Sequence, residues 1–132
     1  QTKPSTKAYE NLQKAVLIFR SFGEIDVGQS MIIQNKIVLG LEAVEGTDNL
    51  ITRCKNYKKS GDKGVLVKFS KYNQSDIIDI PTIGENTIKL LKDCDYEGLY
   101  LEKDRCLIID KEKTVDLANQ YKVFISTCNK IE

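Results

Sequence analysis

A short apolar strand that gives way to acids and then to a helix, between Ile37 and Asp48, is the feature that most constrains this fold. The strand is rich in branched residues, which is typical of a strand with much of its surface buried. Gly46 then allows a sharp turn, and Thr47 is a good N-cap for a following helix. The apolar residues of that helix recur at the spacing of one helix face: Leu50, Ile51 and Cys54. The sequence therefore predicts a strand that leads through a turn into an amphipathic helix.

The turn between this strand and helix carries four oxygen-bearing side chains: Glu42, Glu45, Thr47 and Asp48. Free N–H groups at a helix N-terminus attract anions, and clustered carboxylates hold a hard cation such as Mg²⁺. The combination suits a metal-bridged phosphate. The alternative is an ordinary capped turn without a ligand, because Gly-Thr-Asp before an apolar helix is also a common way to cap that helix.

Length and composition exclude several classes of protein. The 132 residues predict one domain that is large enough for a real core, and no apolar run approaches the ~20 residues that a bilayer requires. With 20 Lys and Arg against 19 Asp and Glu, and no basic stripe with interleaved aromatic residues, nucleic acid is not expected as a partner. The chain has no histidine, so acid–base chemistry falls to carboxylates, Lys, Tyr, Cys or a metal-bound water.

The four cysteines are scattered without a Cys-x-x-Cys pair, which argues against a zinc ribbon or a dithiol redox site. We therefore expect the reduced thiols of a cytoplasmic protein. The chain begins at Gln1 with a polar lead that contains Pro4, and this start is typical of a piece cut from a longer protein.

The rest of the pattern predicts strands and helices in alternation. Ser5 caps a first helix that ends near Gly23, and a tight turn at Gln34-Asn35 joins two strands into a hairpin. A buried strand follows from Gly64 to Phe69. Its Lys68 either extends to solvent or meets a phosphate, and the sequence leaves these two alternatives open. The basic stretch between Lys55 and Lys63, around Ser60-Gly61, is predicted to be a solvated flexible loop.

A second carboxylate, Asp79, stands at a strand end just before a helix that starts near Glu85. If Asp48 and Asp79 both follow parallel strands, they lie at the same edge of the sheet, where ligand crevices form in α/β proteins. Gln29 is expected beside the cluster that runs from Glu42 to Asp48.

The C-terminal third is predicted to be scaffold. A Lys103-Asp104 turn pairs Leu99–Leu101 with a strand that starts at Cys106, Asp110 caps a helix, and a last strand starts at Val123. The fold class is therefore α/β: a single domain with a mixed β-sheet and about three to four helices packed on it.

Four ordered motifs closely resemble the C-terminal domain of the LpxI family of UDP-2,3-diacylglucosamine pyrophosphatases. They are Asp26-Val-Gly-Gln, Glu42-Ala-Val-Glu-Gly-Thr-Asp, Gly64-Val-Leu-Val-Lys and Asp79-Ile-Pro-Thr-Ile-Gly. The likeness covers Gly23 to Ile125, and four motifs in order are far more specific than any one of them. The resemblance divides the chain into a polar lead and helix, over residues 1–22, and the family domain, over residues 23–132. It also implies an upstream nucleotide-sugar-binding domain that is absent from this chain.

The resemblance implies a cytoplasmic hydrolase of lipid A synthesis, with peripheral association at the inner membrane and a homodimeric state. With Mg²⁺ or another divalent cation it would split UDP-2,3-diacylglucosamine into UMP and 2,3-diacylglucosamine 1-phosphate, together with its own N-terminal domain. The resemblance implies a catalytic role for Asp79. The implied metal-binding residues are Asp79, Asp48 and Glu45, and the implied substrate-binding residues are Gln29, Thr47, Asp48, Lys68 and Thr82.

Two alternatives stand beside the enzyme hypothesis. In the first, the domain is a non-catalytic binding or dimerisation module for an acylated sugar phosphate. In the second, it keeps the family fold but has lost activity, because Ile77 stands where the family often has Arg and Ser75 where an acid is common.

Overall fold

The computed structural model describes residues 2–22, 30–69, 82–103 and 106–128. These residues form four helices, α1 (Thr6–Phe22), α2 (Thr47–Cys54), α3 (Glu85–Asp93) and α4 (Lys111–Tyr121), with a single 3-10 turn at Lys55–Tyr57. The strands are β1 (Ser30–Gln34), β2 (Ile37–Leu41), β3 (Val65–Lys68), β4 (Thr82–Ile83), β5 (Gly98–Glu102), β6 (Leu107–Ile108) and β7 (Phe124–Cys128). The α/β class with a mixed sheet is confirmed.

The main sheet has five strands in the order β2-β1-β3-β5-β7. Strand β1 pairs antiparallel with both β2 and β3, and β3, β5 and β7 pair parallel. It follows that β2 runs in the same direction as β3, β5 and β7, although its neighbour among the described strands, β1, is antiparallel to it. These four strands therefore end on one side of the sheet, which we call the carboxyl edge.

The predicted hairpin of β1 and β2 is confirmed, with its turn one residue later than expected. Asn35 and Lys36 both have positive φ, 54° and 61°, and two such central residues define the type I′ turn that suits the right-handed twist of paired strands. The hairpin brings the start of β1, at Ser30, beside the end of β2, at Leu41. The turn itself lies at the opposite side of the sheet from the carboxyl edge.

Each face of the sheet has its own core, because alternate residues of a strand point to opposite faces. Helix α1 covers one face: it starts at Ser5, whose hydroxyl caps the Ala8 N–H at 3.1 Å as predicted, and it packs Val16 and Phe19 against Val67 and Phe69. Helices α2, α3 and α4 cover the other face and form a second core with it. This second core contains Leu50, Ile51, Leu66, Ile88, Leu91, Leu99 and Ala118.

The predicted hairpin between Leu99–Leu101 and the Cys106 segment is wrong. Strand β5 instead lies between β3 and β7, with Leu99 opposite Leu66 and Ile125. Its residues 98–101 are buried, and a strand in that position needs a partner on each side for its backbone N–H and C=O groups. Strand β6 pairs with β4 in a separate two-stranded sheet.

Two predicted caps also differ in detail. Gly46, rather than Thr47, occupies the N-cap of α2, so Thr47 is the first residue of that helix. Asp110 occupies the N-cap of α4, but its side chain makes no capping hydrogen bond there and its backbone is left-handed.

The basic loop after α2 is anchored to the β1–β2 turn. The buried Gln34 side chain donates to the carbonyls of Lys59 (2.8 Å) and Asp62 (2.6 Å) and accepts from the Lys59 N–H (2.9 Å). Asn35 Nδ2 also donates to the Ser60 carbonyl. The loop therefore lies on the side of the sheet that faces away from the carboxyl edge.

All four cysteines are free thiols, in agreement with their scattered spacing. Among the described helices, none is long and apolar enough to cross a membrane.

Candidate functional site

Residues from three separate segments meet at the carboxyl edge. The turn after β2 supplies Glu42 and Thr47, strand β3 ends at Lys68, and β4 begins at Thr82. The sheet order brings these segments together, because β1 separates β2 from β3 by only one strand and begins at that same edge. The contact between the acidic turn and Lys68 is therefore a result of the topology.

Of the two alternatives that the sequence left open for Lys68, extension to solvent is wrong, and contact with a phosphate stays a prediction. Only 5% of the residue is exposed, so its ammonium does not extend into solvent. Lys68 Nζ donates to Thr47 Oγ1 and to the Thr82 carbonyl, each at 2.9 Å. A charged amine is thus fixed between the start of α2 and the strand β4.

The Thr47 hydroxyl is the centre of a polar cluster. It donates to Glu42 Oε1 at 2.5 Å, it accepts from Lys68, and it lies 3.1 Å from Ser30 Oγ. Ser30 is fully buried at the first position of β1. The cluster therefore ties the hairpin, α2 and β3 to one another at the carboxyl edge.

Asp48 connects α2 to α3. Its Oδ1 accepts the Thr87 hydroxyl and its Oδ2 accepts Asn86 Nδ2, both at 2.9 Å. Both partners lie in the first turn of α3, and Asp48 lies in the first turn of α2. The carboxylate therefore links the starts of the two helices. Each carboxylate oxygen accepts about two hydrogen bonds, so Asp48 keeps acceptor capacity for a further ligand.

Glu45 is held by Arg53 from the last turn of α2. Arg53 Nη2 donates to Glu45 Oε1 at 2.8 Å and Nε donates to Oε2 at 3.1 Å, which is the two-pronged geometry that suits guanidinium and carboxylate. The hydrogen bond from Arg53 lowers the pKa of Glu45 from its usual value. The pair therefore forms at neutral pH and is lost when acid protonates Glu45 below its usual pKa.

These groups border an open cavity of about 470 Å³. Its wall is formed by residues 45–49, Lys68, residues 82–84, Asn86, Thr87 and Ile109. The cavity thus brings together Glu45, Thr47, Asp48, Lys68 and Thr82, which are five of the predicted site residues. The other two, Gln29 and Asp79, lie outside the described residues, as do Ser75 and Ile77.

The carboxylates that are described do not form a metal site by themselves. Within residues 2–22, 30–69, 82–103 and 106–128, no three His, Cys, Asp or Glu side chains are grouped so that they could hold an ion. Arg53 occupies both oxygens of Glu45 and balances its charge, which leaves Asp48 as the better-suited ligand of the two. The predicted set of Glu45, Asp48 and Asp79 stays a prediction.

Sequence reasoning missed the partners that hold the two acids. Arg53 stands eight residues after Glu45, on the helix that follows it. This short separation and the opposite charges could have predicted their pairing. No local signal linked Asn86 and Thr87 to Asp48, because they follow it by almost forty residues and depend on how α2 packs against α3.

Gly46 gives a first testable prediction. Its backbone has φ 86° and ψ 163°, a conformation that L-residues rarely adopt, and a Cβ added there would meet no atom within 4 Å. Gly46→Ala should therefore destabilise the protein by about 1–3 kcal/mol through backbone strain alone. Thermal or denaturant unfolding measures this loss.

Gly84→Ala is the matched control for that variant. Gly84 is also the N-cap of a helix, but its φ is −149° and an added Cβ would meet only Ile109 at an ordinary 3.8 Å. Equal stability of the two alanine variants would contradict the assigned role of Gly46.

Comparison with known proteins identifies a family that the chain matches. The chain matches the family model described as the LpxI C-terminal domain over residues 1–126, so the match includes α1. It is 29% identical, over 131 residues, to the UDP-2,3-diacylglucosamine pyrophosphatase LpxI of Caulobacter vibrioides. That alignment covers 95% of this chain and 47% of the Caulobacter protein. The chain therefore spans about half the length of the curated relative that it matches.

Proposed function

This chain belongs to the LpxI family through its C-terminal domain, and we propose that it forms one half of a UDP-2,3-diacylglucosamine pyrophosphatase. The reaction would be hydrolysis of the diphosphate to UMP and 2,3-diacylglucosamine 1-phosphate. The other half of the site would come from an N-terminal domain, with the substrate between the two. Because the substrate is a diacylated lipid, contact with a membrane surface is part of this proposal.

The observation that carries the proposal is the fixed positive charge of Lys68 at the wall of the cavity. Two helix starts, at Thr47 in α2 and Glu85 in α3, border the same cavity. The first N–H groups of a helix lack intrahelical acceptors, so each start attracts phosphate oxygens. A lysine held in place at the wall of a cavity that two such starts border suits a diphosphate, whose negative charge is spread over several oxygens.

A divalent cation, with Mg²⁺ as the first choice, is proposed on the basis of Asp48. A carboxylate repels a neighbouring diphosphate unless a cation lies between them, and Asp48 keeps acceptor capacity toward such a cation. Further ligands would have to come from Asp79 or from the partner domain. Because the described residues do not complete a metal site, we assign no step of the reaction to the cation.

Replacement of Lys68 tests the proposed function. In the full-length protein, Lys68→Met should lower kcat/KM for UDP-2,3-diacylglucosamine by about 10²-fold to 10³-fold, because one fixed charge at developing phosphate charge is removed. Thermal unfolding should change much less, since Met fills a similar volume at a buried position. Activity close to that of wild type in a folded Lys68→Met protein would overturn the proposal for this site.

A second candidate function is binding without catalysis. It is favoured by the internal contacts of the described acids, since Glu42, Glu45 and Asp48 each accept hydrogen bonds from neighbouring side chains. On this hypothesis the full-length protein would bind 2,3-diacylglucosamine 1-phosphate but would not hydrolyse the UDP-linked lipid. Calorimetry with the product and a turnover assay with the substrate separate the two functions.

A further inference from the structure

We propose that Thr47 is a positioning residue that acts through Lys68, with Glu42 and Ser30 as its supports, rather than a group that binds the substrate directly. This inference rests on the proposed function, because it assumes that Lys68 contacts the diphosphate. Its basis is the number of hydrogen bonds that one hydroxyl can make.

A threonine hydroxyl has one proton to donate and two lone pairs that accept. Thr47 Oγ1 has three partners, namely Glu42 Oε1 at 2.5 Å, Lys68 Nζ at 2.9 Å and Ser30 Oγ at 3.1 Å. An ammonium can only donate and an ionised carboxylate can only accept. The Thr47 proton therefore goes to Glu42, and one lone pair receives Lys68.

The hydrogen bond between Ser30 Oγ and Thr47 Oγ1 then has one possible direction. Because the single Thr47 proton is used for Glu42, the Ser30 hydroxyl must donate to the second lone pair of Thr47. All three positions around Thr47 Oγ1 are occupied. A phosphate oxygen could obtain a hydrogen bond from Thr47 only if the short bond to Glu42 were broken.

The arrangement places a carboxylate and an ammonium on the two sides of one hydroxyl. A buried charge needs hydrogen-bond partners and an opposite charge nearby, and Lys68 is only 5% exposed. The Glu42 carboxylate lies one hydroxyl away and supplies that opposite charge. The second anchor of Lys68, the Thr82 carbonyl at 2.9 Å, holds the amine from the opposite side.

This geometry explains why a hydroxyl residue stands at the first position of α2. A lysine side chain loses about 2 kcal/mol of rotamer entropy when it is fixed in one geometry. Here that loss occurs when the protein folds, so it does not recur when the substrate binds. Thr47 and Thr82 together thus prepare Lys68 for an anion.

A double-mutant cycle in the full-length protein tests the inference. Thr47→Val keeps the shape and removes the hydroxyl, and it should lower kcat/KM by about 10-fold to 100-fold, which is the effect of losing a hydrogen bond to a charged group. In a Lys68→Met background the same substitution should lower kcat/KM by no more than about 2-fold, because residues that act as a unit are not additive. Glu42→Gln should show the same dependence on Lys68.

Two further variants serve as controls. Thr47→Ser retains the hydroxyl and should keep activity within about 3-fold of wild type. Thr6→Val removes an exposed hydroxyl at the start of α1, on the other side of the sheet from the carboxyl edge, and should have no effect. If turnover of Lys68→Met is too low to measure, the dissociation constant for 2,3-diacylglucosamine 1-phosphate gives the same cycle by calorimetry.

The outcomes distinguish this inference from the function on which it rests. Full additivity of Thr47→Val and Lys68→Met would show that Thr47 contacts the substrate by itself, and the inference would be wrong while the proposed function stood. No effect of Lys68→Met alone would instead contradict the proposed role of Lys68, and with it both proposals.

Discussion

Residues 1–132 on their own should hydrolyse UDP-2,3-diacylglucosamine at least about 10⁵-fold more slowly than the full-length protein. Orientation of the reacting groups by a complete site can contribute ~7–11 kcal/mol to catalysis, and on the two-domain proposal part of the groups that orient the diphosphate belong to the N-terminal domain. A turnover assay at matched molar concentrations of the two proteins, with 2,3-diacylglucosamine 1-phosphate as the measured product, gives the ratio.

The assay needs evidence that the shorter protein is folded. A cooperative thermal transition for residues 1–132, with the free energy of unfolding from denaturant titration, supplies that control. Turnover by a folded short chain within 10²-fold of the full-length rate would show that this domain contains a complete site, and the two-domain proposal would then be wrong.

Asp79→Asn in the full-length protein should lower kcat by about 10³-fold or more and leave the melting temperature unchanged. Asn keeps the size and most of the hydrogen bonds of Asp, but it removes the charge with which Asp79 would bind or orient a divalent cation and its water. Asp79 lies outside the described residues, so this prediction rests on the Asp79-Ile-Pro-Thr-Ile-Gly motif and on the proposed function.

The scaffold alternative makes the opposite prediction for Asp79. Asn caps a helix about as well as Asp, so Asp79→Asn would then have almost no effect. Asp116→Asn, at an exposed position of α4, is the control for the loss of one negative charge. An Asp79→Asn protein that melts like wild type and retains metal-dependent activity would assign Asp79 to the scaffold and make Asp48 the next acid to test.

The parts of the fold that the sequence predicts well are those with local causes. The turn at Asn35 joins two apolar strands because Asn tolerates a left-handed backbone better than most other side chains do, and Ser5 caps α1 through a contact only three residues away. Lys68 could be placed at the end of a buried strand for the same reason. In each case the residues that decide the structure are neighbours in the chain.

The failures concern pairings between distant segments. Leu99–Leu101 and the segment that starts at Cys106 are both short and apolar, and a short connection made a hairpin the simplest prediction. Strand β5 instead pairs with β3 and β7, because a buried strand requires a partner on both sides for its backbone N–H and C=O groups. A sequence alone does not state which of several apolar runs will be those partners.

The candidate site shows the same division. The acids and Lys68 could be singled out by residue type, but their hydrogen-bond partners could not. Asp48 is held by Thr87 across thirty-nine positions, and Lys68 is held by Thr47 across twenty-one. Such contacts follow from the order of the strands, which the sequence pattern did not determine.

The position of β2 at the outside of the sheet has a consequence for how the protein loses function. Among the described strands, β2 is paired on one side only, so the β2 end of the hairpin is expected to open in local unfolding events that require less free energy than global unfolding. Each such event would carry away Glu42, which directly follows β2, while Thr47 and Lys68 stay in place. They stay because α2 packs Leu50 and Ile51 into the core and Lys68 lies on β3. Heat or mild denaturant would therefore disable the candidate site before the sheet melts. A ligand that bridges the β2 turn and Lys68 would close the hairpin and protect its amide hydrogens from exchange, because it binds only the closed form.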